Sequence, residues 1–130
     1  MKKLLGLLLA LTLVTAACGD DDGGGVGNST DPASANTCDE LADVTINLLQ
    51  DAIDSVSDLS VADFLEIASG GEMPEAVERL DTMGDELETR AGQIGCSDAD
   101  AQSLVCARID RLQADSEVAD LILQGIAGEC

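Results

Sequence analysis

The most regular pattern in this sequence is a seven-residue repeat of apolar side chains over residues 73–94. Side chains seven residues apart lie on the same side of an α-helix. Four residues after each of the first three repeat positions, a smaller residue lies on that same side. The residues of the repeat and of its intervening step are Met73, Val77, Leu80, Gly84, Leu87, Ala91 and Ile94. Pro74 lies near the start, where a first-turn proline is tolerated, and Gly95 follows the last position. The pattern predicts a helix whose narrow seam packs closely against another helix.

Four further helices are predicted from polar capping residues that precede apolar side chains at three- and four-residue steps. Thr37 and Glu40 form a T-x-x-E capping box that begins a helix over 38–57. Three shorter helices begin at serine caps, which are Ser60, Ser97 and Ser116. The apolar side chains that we expect these four helices to bury are Leu41, Val44, Leu48, Ala52 and Val56, then Val61, Phe64, Leu65 and Ala68, then Ala101, Leu104, Val105, Ile109 and Leu112, and finally Val118, Leu121, Ile122 and Ile126. No strand pattern competes, so the sequence predicts an all-α fold, a small antiparallel bundle of four to five helices.

The first seventeen residues contain the three parts of an export signal. Lys2 and Lys3 form a positive n-region, an apolar stretch over 4–14 has the length of an h-region, and small residues follow at 15–17. An apolar run this short does not cross a bilayer core, which needs about 20 helical residues. The sequence therefore predicts a signal peptide over 1–17 and an exported mature chain.

The residues around the first cysteine resemble the lipobox of bacterial lipoprotein precursors. The sequence V-T-A-A-C spans Val14 to Cys18. The resemblance implies that a lipoprotein signal peptidase cleaves before Cys18, and that Cys18 carries a diacylglycerol in thioether linkage, commonly with an added N-acyl chain. Two or more acyl chains give a stable anchor where one chain is marginal. We expect the mature chain to be anchored to the cell membrane on its extracytoplasmic side, and ordinary secretory cleavage after Ala17 is the alternative.

A disordered acidic tether is predicted over 18–37, before the helical domain over 38–130. Three aspartates at 20–22 and three glycines at 23–25 are followed by small polar residues and Pro32. The segment has too little apolar surface to offset the entropy of ordering it. Its aspartates lack the alternating spacing of a calcium-binding loop, so the sequence predicts no calcium site there.

Four cysteines remain once Cys18 is assigned to lipid, and an even number in an exported chain is typical of disulfides. If the first helix ascends and the third descends, Cys38 and Cys96 lie at the same end of the bundle. Cys106 lies about 13 Å up the fourth helix, at 1.5 Å per residue, where it meets Cys130 at the end of the descending fifth helix. We therefore favour the pairs Cys38–Cys96 and Cys106–Cys130 over the other two pairings. The spacings lack the short paired steps of a zinc site, so no metal site is predicted. The helical portion is similar to small cysteine-paired domains of bacterial lipoproteins, a resemblance that implies no activity.

The charge balance excludes several classes of function. The net charge is −20, and the mature chain has no lysine and only four arginines, which are Arg79, Arg90, Arg108 and Arg111. Such a chain repels phosphate backbones, so we predict no binding to nucleic acid. The chain also lacks His, Trp and Tyr, and it carries no nucleophile elbow, phosphate loop or dinucleotide fingerprint. The sequence therefore predicts no enzyme, no catalytic residue and no cofactor. Two ion pairs within the third helix are expected, Glu75–Arg79 and Glu86–Arg90.

Several functions remain compatible with these features. A lipid-anchored envelope module that binds another protein requires an exposed apolar patch on the order of a few hundred Å². A carrier of a small molecule or lipid requires an internal cavity on the order of a few hundred Å³. An enzyme requires clustered acids with perturbed pKa values in a cleft. An acidic surface alone could gather divalent cations weakly, although it also simply confers solubility. We favour the first of these, an interaction module with an envelope protein as its partner.

Overall fold

The computed structural model describes residues 27–130, and every regular element in that range is helical. The five α-helices are α1 Cys38–Ser55, α2 Val61–Ala68, α3 Glu75–Ile94, α4 Asp98–Cys106 and α5 Glu117–Ala127. Two short 3₁₀ turns, Pro32–Ser34 and Ile109–Arg111, precede α1 and follow α4. The predicted all-α class is confirmed. The signal peptide, Cys18 and the first part of the predicted tether lie outside the described residues.

Four of the helices begin at the side chains that the sequence indicates. Ser60, Ser97 and Ser116 each accept a hydrogen bond from the backbone N–H three residues later, and so does Thr37 at the start of α1. The reciprocal half of the capping box predicted at α1 is wrong. The Glu40 carboxylate accepts from the N–H of Asn36 at 2.6 Å instead of that of Thr37, because Glu40 is buried beneath the residues that precede the helix. α1 also ends two residues before the predicted 57.

Helix α1 lies at the centre of the domain and contacts α3, α4 and α5. Its buried side chains face two separate clusters rather than one side. Val44 and Leu48 belong to the cluster that faces α3, whereas Ile46 and Ile53 pack with Leu112 and with side chains of α4 and α5. A helix that is apolar on two sides needs partners on both, which explains why this one occupies the middle of the bundle.

Helix α3 packs along α1 through an apolar seam. The side chains that form this seam are Leu80, Met83, Leu87, Ala91 and Ile94. Four of them were predicted by the seven-residue repeat, and none is fully buried because α3 covers α1 with one side only. Arg79 forms an ion pair with Asp51 at 2.8 Å, near the end of α1. Together with the Cys38–Cys96 disulfide at the start of α1, this pair holds the two helices together at both ends.

Two disulfides close the domain. Cys38, in the first turn of α1, bonds to Cys96 with an S–S distance of 2.01 Å, and Cys106, at the end of α4, bonds to Cys130 at 2.05 Å. These are the two pairs favoured from the order of the helices. Gly95 adopts a left-handed conformation at φ 76°, which turns the chain at the end of α3 and brings Cys96 to the start of α1.

Residues 29–37 form an N-terminal arm that packs against the helices, so the prediction of a disordered tether is wrong for this segment. Pro32 and Ala35 are fully buried, and Ala35 belongs to the cluster between α1 and α3. The Asn47 amide donates to the backbone oxygen of Ser29 at 2.8 Å, and Arg90 donates to that of Ala35 at 2.7 Å. The small number of apolar side chains in this segment did not reveal that it is ordered. The arm is held by hydrogen bonds to its backbone and by small residues that fill a crevice.

Candidate functional site

Helix α2 exposes an apolar face that the sequence pattern led us to expect inside the core. None of its side chains is fully buried, and Val61 and Leu65 are 36% and 59% exposed. Val61, Leu65 and Ala68 lie at steps of four and three residues, so they share one side of the helix. Phe64 and Ile67 are half-buried on the adjacent side. The predicted burial of Val61, Leu65 and Ala68 is therefore wrong.

The large share of apolar side chains in this eight-residue helix explains their exposure. Six of the eight side chains in V-A-D-F-L-E-I-A are apolar, an arc wider than one neighbouring element covers. The main contact of α2 with another helix is with α5, because α1 is already surrounded by other elements. The width of the apolar arc was visible in the sequence, and it is the signal by which this surface could have been found.

Helix α5 contributes the remaining large apolar side chain that is exposed in the described part of the chain. Leu121 is 48% exposed, so its predicted burial is also wrong, whereas Val118 is buried as predicted and Ala119 is buried in addition. Because α2 and α5 contact each other, all three exposed large apolar side chains lie on one pair of neighbouring helices. We call Val61, Ala62, Leu65, Ala68 and Leu121 the α2/α5 apolar surface.

Both helices of this surface carry exposed carboxylates. α2 carries Asp63 and Glu66, and α5 carries Glu117 and Asp120, all of them exposed. Glu117 lies four residues before Leu121 and shares its side of α5, whereas the two carboxylates of α2 lie on the other side of that helix from Leu65. Side-chain and backbone hydrogen bonds from Ser60 lower the pKa of Asp63, which keeps this carboxylate ionised. Residues 27–130 contain no ion pair on either helix, so these four charges are not neutralised within the domain.

The four arginines are all used in contacts elsewhere. Arg108 pairs with Asp39 at 2.6 Å and with Asp43 at 3.0 Å, and Arg111 also pairs with Asp43. Partial burial acts to lower the pKa of Arg108, but hydrogen bonds and charges from the two aspartates outweigh it and raise the pKa. Arg79 and Arg90 bind α1 and the N-terminal arm, as described above.

The two ion pairs expected within α3 are therefore wrong. Arg79 and Arg90 reach across to other elements instead of pairing with Glu75 and Glu86 four residues earlier. A partner on another element brings a carboxylate or carbonyl oxygen that is already fixed by packing. The exposed glutamates on α3 itself offer no such fixed acceptor.

An open groove of about 400 Å³ lies between the end of α1 and the start of α3. Its lining residues are Ser55, Pro74, Glu75, Ala76 and Arg79. The groove faces solvent and includes two charged side chains. A carrier of a small apolar molecule instead needs a cavity that encloses most of its ligand. The groove therefore does not favour the carrier hypothesis.

Candidate metal ligands are not grouped together in residues 27–130. No group of three or more cysteine, aspartate or glutamate side chains there is placed to hold a metal ion. The four cysteines of the domain are all in disulfides. Across the helices of the described range, none combines the length and the apolar character needed to span a bilayer. The predicted lipidation site, Cys18, lies outside the described residues.

Comparison with known proteins identified no matching family model, no matching curated protein and no matching solved structure. The inference of function therefore depends on the residues of this chain alone. Among them, the α2/α5 apolar surface stands out, because it leaves large apolar side chains exposed that would each stabilise the domain by about 1.5–3 kcal/mol if they were buried.

Proposed function

We propose that this chain is the precursor of a lipoprotein that is anchored to the extracytoplasmic side of the cell membrane through Cys18, and that its helical domain is a non-enzymatic module that binds another envelope protein. The lipobox-like sequence Val14 to Cys18 and the preceding signal peptide support the anchor. The two disulfides support an oxidising compartment outside the cytoplasm.

The observation that carries the binding function is the exposure of Val61, Leu65 and Leu121 on two helices in contact. Single exposed apolar side chains are ordinary on protein surfaces, but a cluster of large ones marks an interaction site. Everywhere else in the described residues the large apolar side chains are buried or half-buried. The clustering thus distinguishes α2 and α5 from the rest of the surface.

The anchor is tested by the intact mass of the protein in membrane fractions, before and after reduction and alkylation. We expect a chain that begins at Cys18 with added acyl mass, and four alkylation sites that appear only after reduction. The variant Cys18→Ser is the control, and it should lose both the acyl mass and the membrane association. A chain that begins elsewhere without acyl mass would contradict the proposed anchor.

The binding function is tested by photo-crosslinking in intact cells. A photoreactive amino acid is placed at position 65 in one variant and at position 88 of α3 in the other, since Glu88 is exposed but lies outside the α2/α5 apolar surface. We expect an adduct of one discrete mass at position 65 and none at position 88. Adducts at both positions, or at neither, would contradict a binding site on α2 and α5.

A further inference from the structure

We infer that the partner segment that covers the α2/α5 apolar surface is a cationic amphipathic helix of another protein. This inference rests on the proposed binding function and adds the chemistry of the partner. It combines two independent observations, the spacing of the exposed apolar side chains and the absence of any basic residue from the two helices that carry them.

The spacing of the exposed side chains fits a helical partner. Val61, Leu65 and Ala68 form a stripe along two turns of α2, which at 1.5 Å per residue is about 10 Å long. Leu121 adds a large side chain from the neighbouring helix. A partner helix that presents apolar side chains at positions i, i+4 and i+7 would match a stripe of this length, as in other complexes where an amphipathic helix lies in an apolar groove.

The charge on α2 and α5 favours a cationic partner. Asp63, Glu66, Glu117 and Asp120 are exposed on the two helices, and neither helix carries a basic residue. The arginines of the domain are held by Asp39, Asp43, Asp51 and the backbone of Ala35. The domain therefore has no basic side chain left to offset these four carboxylates. Lysines or arginines that flank the apolar side of the partner would supply the missing charge, and this complementarity sets the rate and specificity of association.

The same charges disfavour the two other surfaces that could cover this face. A second copy of the chain in a symmetric dimer would place the carboxylates of α2 and α5 against their own equivalents. An anionic lipid surface would repel them in the same way. Only a partner of opposite charge gains attraction at the edge of the interface as well as burial at its centre.

The test uses the full chain, purified with both disulfides formed in a constant concentration of nonionic detergent. A fluorescent peptide of about 18 residues, composed of leucine and lysine in an amphipathic order, serves as the probe, because shorter isolated helices are marginal in water. Two further peptides are compared, one with glutamate in place of lysine and one with the same leucines and lysines in a scrambled order. Fluorescence anisotropy gives the dissociation constant of each.

We expect the amphipathic lysine peptide to bind more tightly than the other two. Leu65→Ser should weaken its binding at least about fivefold, because a large apolar contact is lost. Glu117→Gln should weaken it about two- to threefold, because Glu117 lies on the same side of α5 as Leu121, and the matched variant Glu88→Gln on α3 should leave it unchanged. Raising the salt concentration from about 50 mM to about 500 mM should abolish the difference between Glu117→Gln and the unchanged chain.

Equal binding of the scrambled peptide would overturn the inference, since charge alone would then explain the interaction. Equal or tighter binding of the glutamate peptide would overturn it as well, and so would a dimer of the chain that Leu65→Ser dissociates. If position 65 crosslinks to one protein in cells while the lysine peptide fails to bind, the partner is not a cationic helix but the proposed function stands. If position 65 does not crosslink either, both proposals fail.

Discussion

Helices α1 and α2 are close in sequence, but they differ in burial and in the number of contacts that hold them to the rest of the domain. α1 is buried on two sides, begins at the Cys38–Cys96 disulfide and accepts ion pairs from three arginines. α2 has no fully buried side chain, no disulfide and no ion pair, and its hydrogen bonds outside the helix are local ones at its two ends. The ion pairs and one of the two disulfides thus involve α1, and none of them involves α2, whose apolar side chains stay exposed.

This difference suggests that α1 stabilises the domain and that α2 is available for binding. A chain of this size has a limited core, so stability concentrates where disulfides and ion pairs reinforce burial. Binding surfaces come from the least stabilised elements, because apolar side chains needed for a partner are unavailable to the core. If this is so, changes in α1 should lower the free energy of unfolding much more than equivalent changes in α2.

Removing the disulfide at the start of α1 should have the largest effect. The double variant Cys38→Ala with Cys96→Ala opens a loop with a sequence separation of 58 residues, and we expect the free energy of unfolding to fall by about 4 kcal/mol. Thermal unfolding followed by circular dichroism measures the change. The second disulfide closes a shorter loop with a separation of 24, so its double variant should lose about 3 kcal/mol. A loss below that of the second disulfide would mean that α1 is not the most strongly stabilised element.

Truncation of one leucine in each helix compares their burial directly. Leu48 in α1 is 2% exposed, so Leu48→Ala should lower the free energy of unfolding by about 3 kcal/mol through lost contacts and a cavity. Leu65 in α2 is 59% exposed, so Leu65→Ala should change it by less than about 0.5 kcal/mol. Urea denaturation of both variants gives the two values. Similar losses in the two variants would show that Leu65 is part of the core and not of a binding surface.

Ion pairs on α1 should differ in the same way according to their burial. Arg108→Met keeps the apolar stem but removes the pairs with Asp39 and Asp43. We expect the free energy of unfolding to fall by about 1.5 kcal/mol, because the Arg108 side chain is only 19% exposed. Arg79→Met is the matched control. Its pair with Asp51 is 48% exposed on both sides, so the loss should be below about 0.5 kcal/mol. Equal losses in urea denaturation would mean that both pairs are screened to the same degree.

The elements of the fold were predictable because their signals are local. The serine and threonine caps mark where four helices begin, and the seven-residue repeat identifies four of the five α3 side chains that contact α1. The pairing of Cys38 with Cys96 follows from the order and length of the helices, because an antiparallel α3 brings its end close to the start of α1.

The candidate site was not predictable in the same way, because exposure depends on what lies next to a helix. Periodicity shows that Val61 and Leu65 share a side, but it does not show whether another element covers that side. The N-terminal arm was missed for a related reason, since Ala35 is buried by its position in a crevice and not by its size. The partners of the arginines were missed too, because tertiary contacts outweigh the weak preference for pairing within a helix.

The smallest effect should come from the cap of α2, where the loss is local. Ser60→Ala removes the hydrogen bonds to Asp63, which costs about 1 kcal/mol of local helix stability and should speed amide exchange in α2 about fivefold. Global unfolding should change little, because α2 contributes no fully buried side chain. Hydrogen exchange measured by NMR resolves the two effects. The variant Ser97→Ala removes an equivalent cap on α4, which lies between Cys96 and Cys106, so amides in α4 should exchange only slightly faster.

The same cap should make α2 sensitive to acid. Hydrogen bonds from Ser60 hold the pKa of Asp63 below its usual value of 3.8 in the folded chain. The contribution of Asp63 to α2 is therefore fully present above the unfolded pKa and is lost as the pH falls through the lower folded pKa. In Ser60→Ala the pKa of Asp63 should rise toward the usual value, which an NMR titration of its carboxyl carbon detects. If the pKa of Asp63 is the same in both chains, the Ser60 side chain does not bond to this carboxylate, and the cap does not stabilise α2.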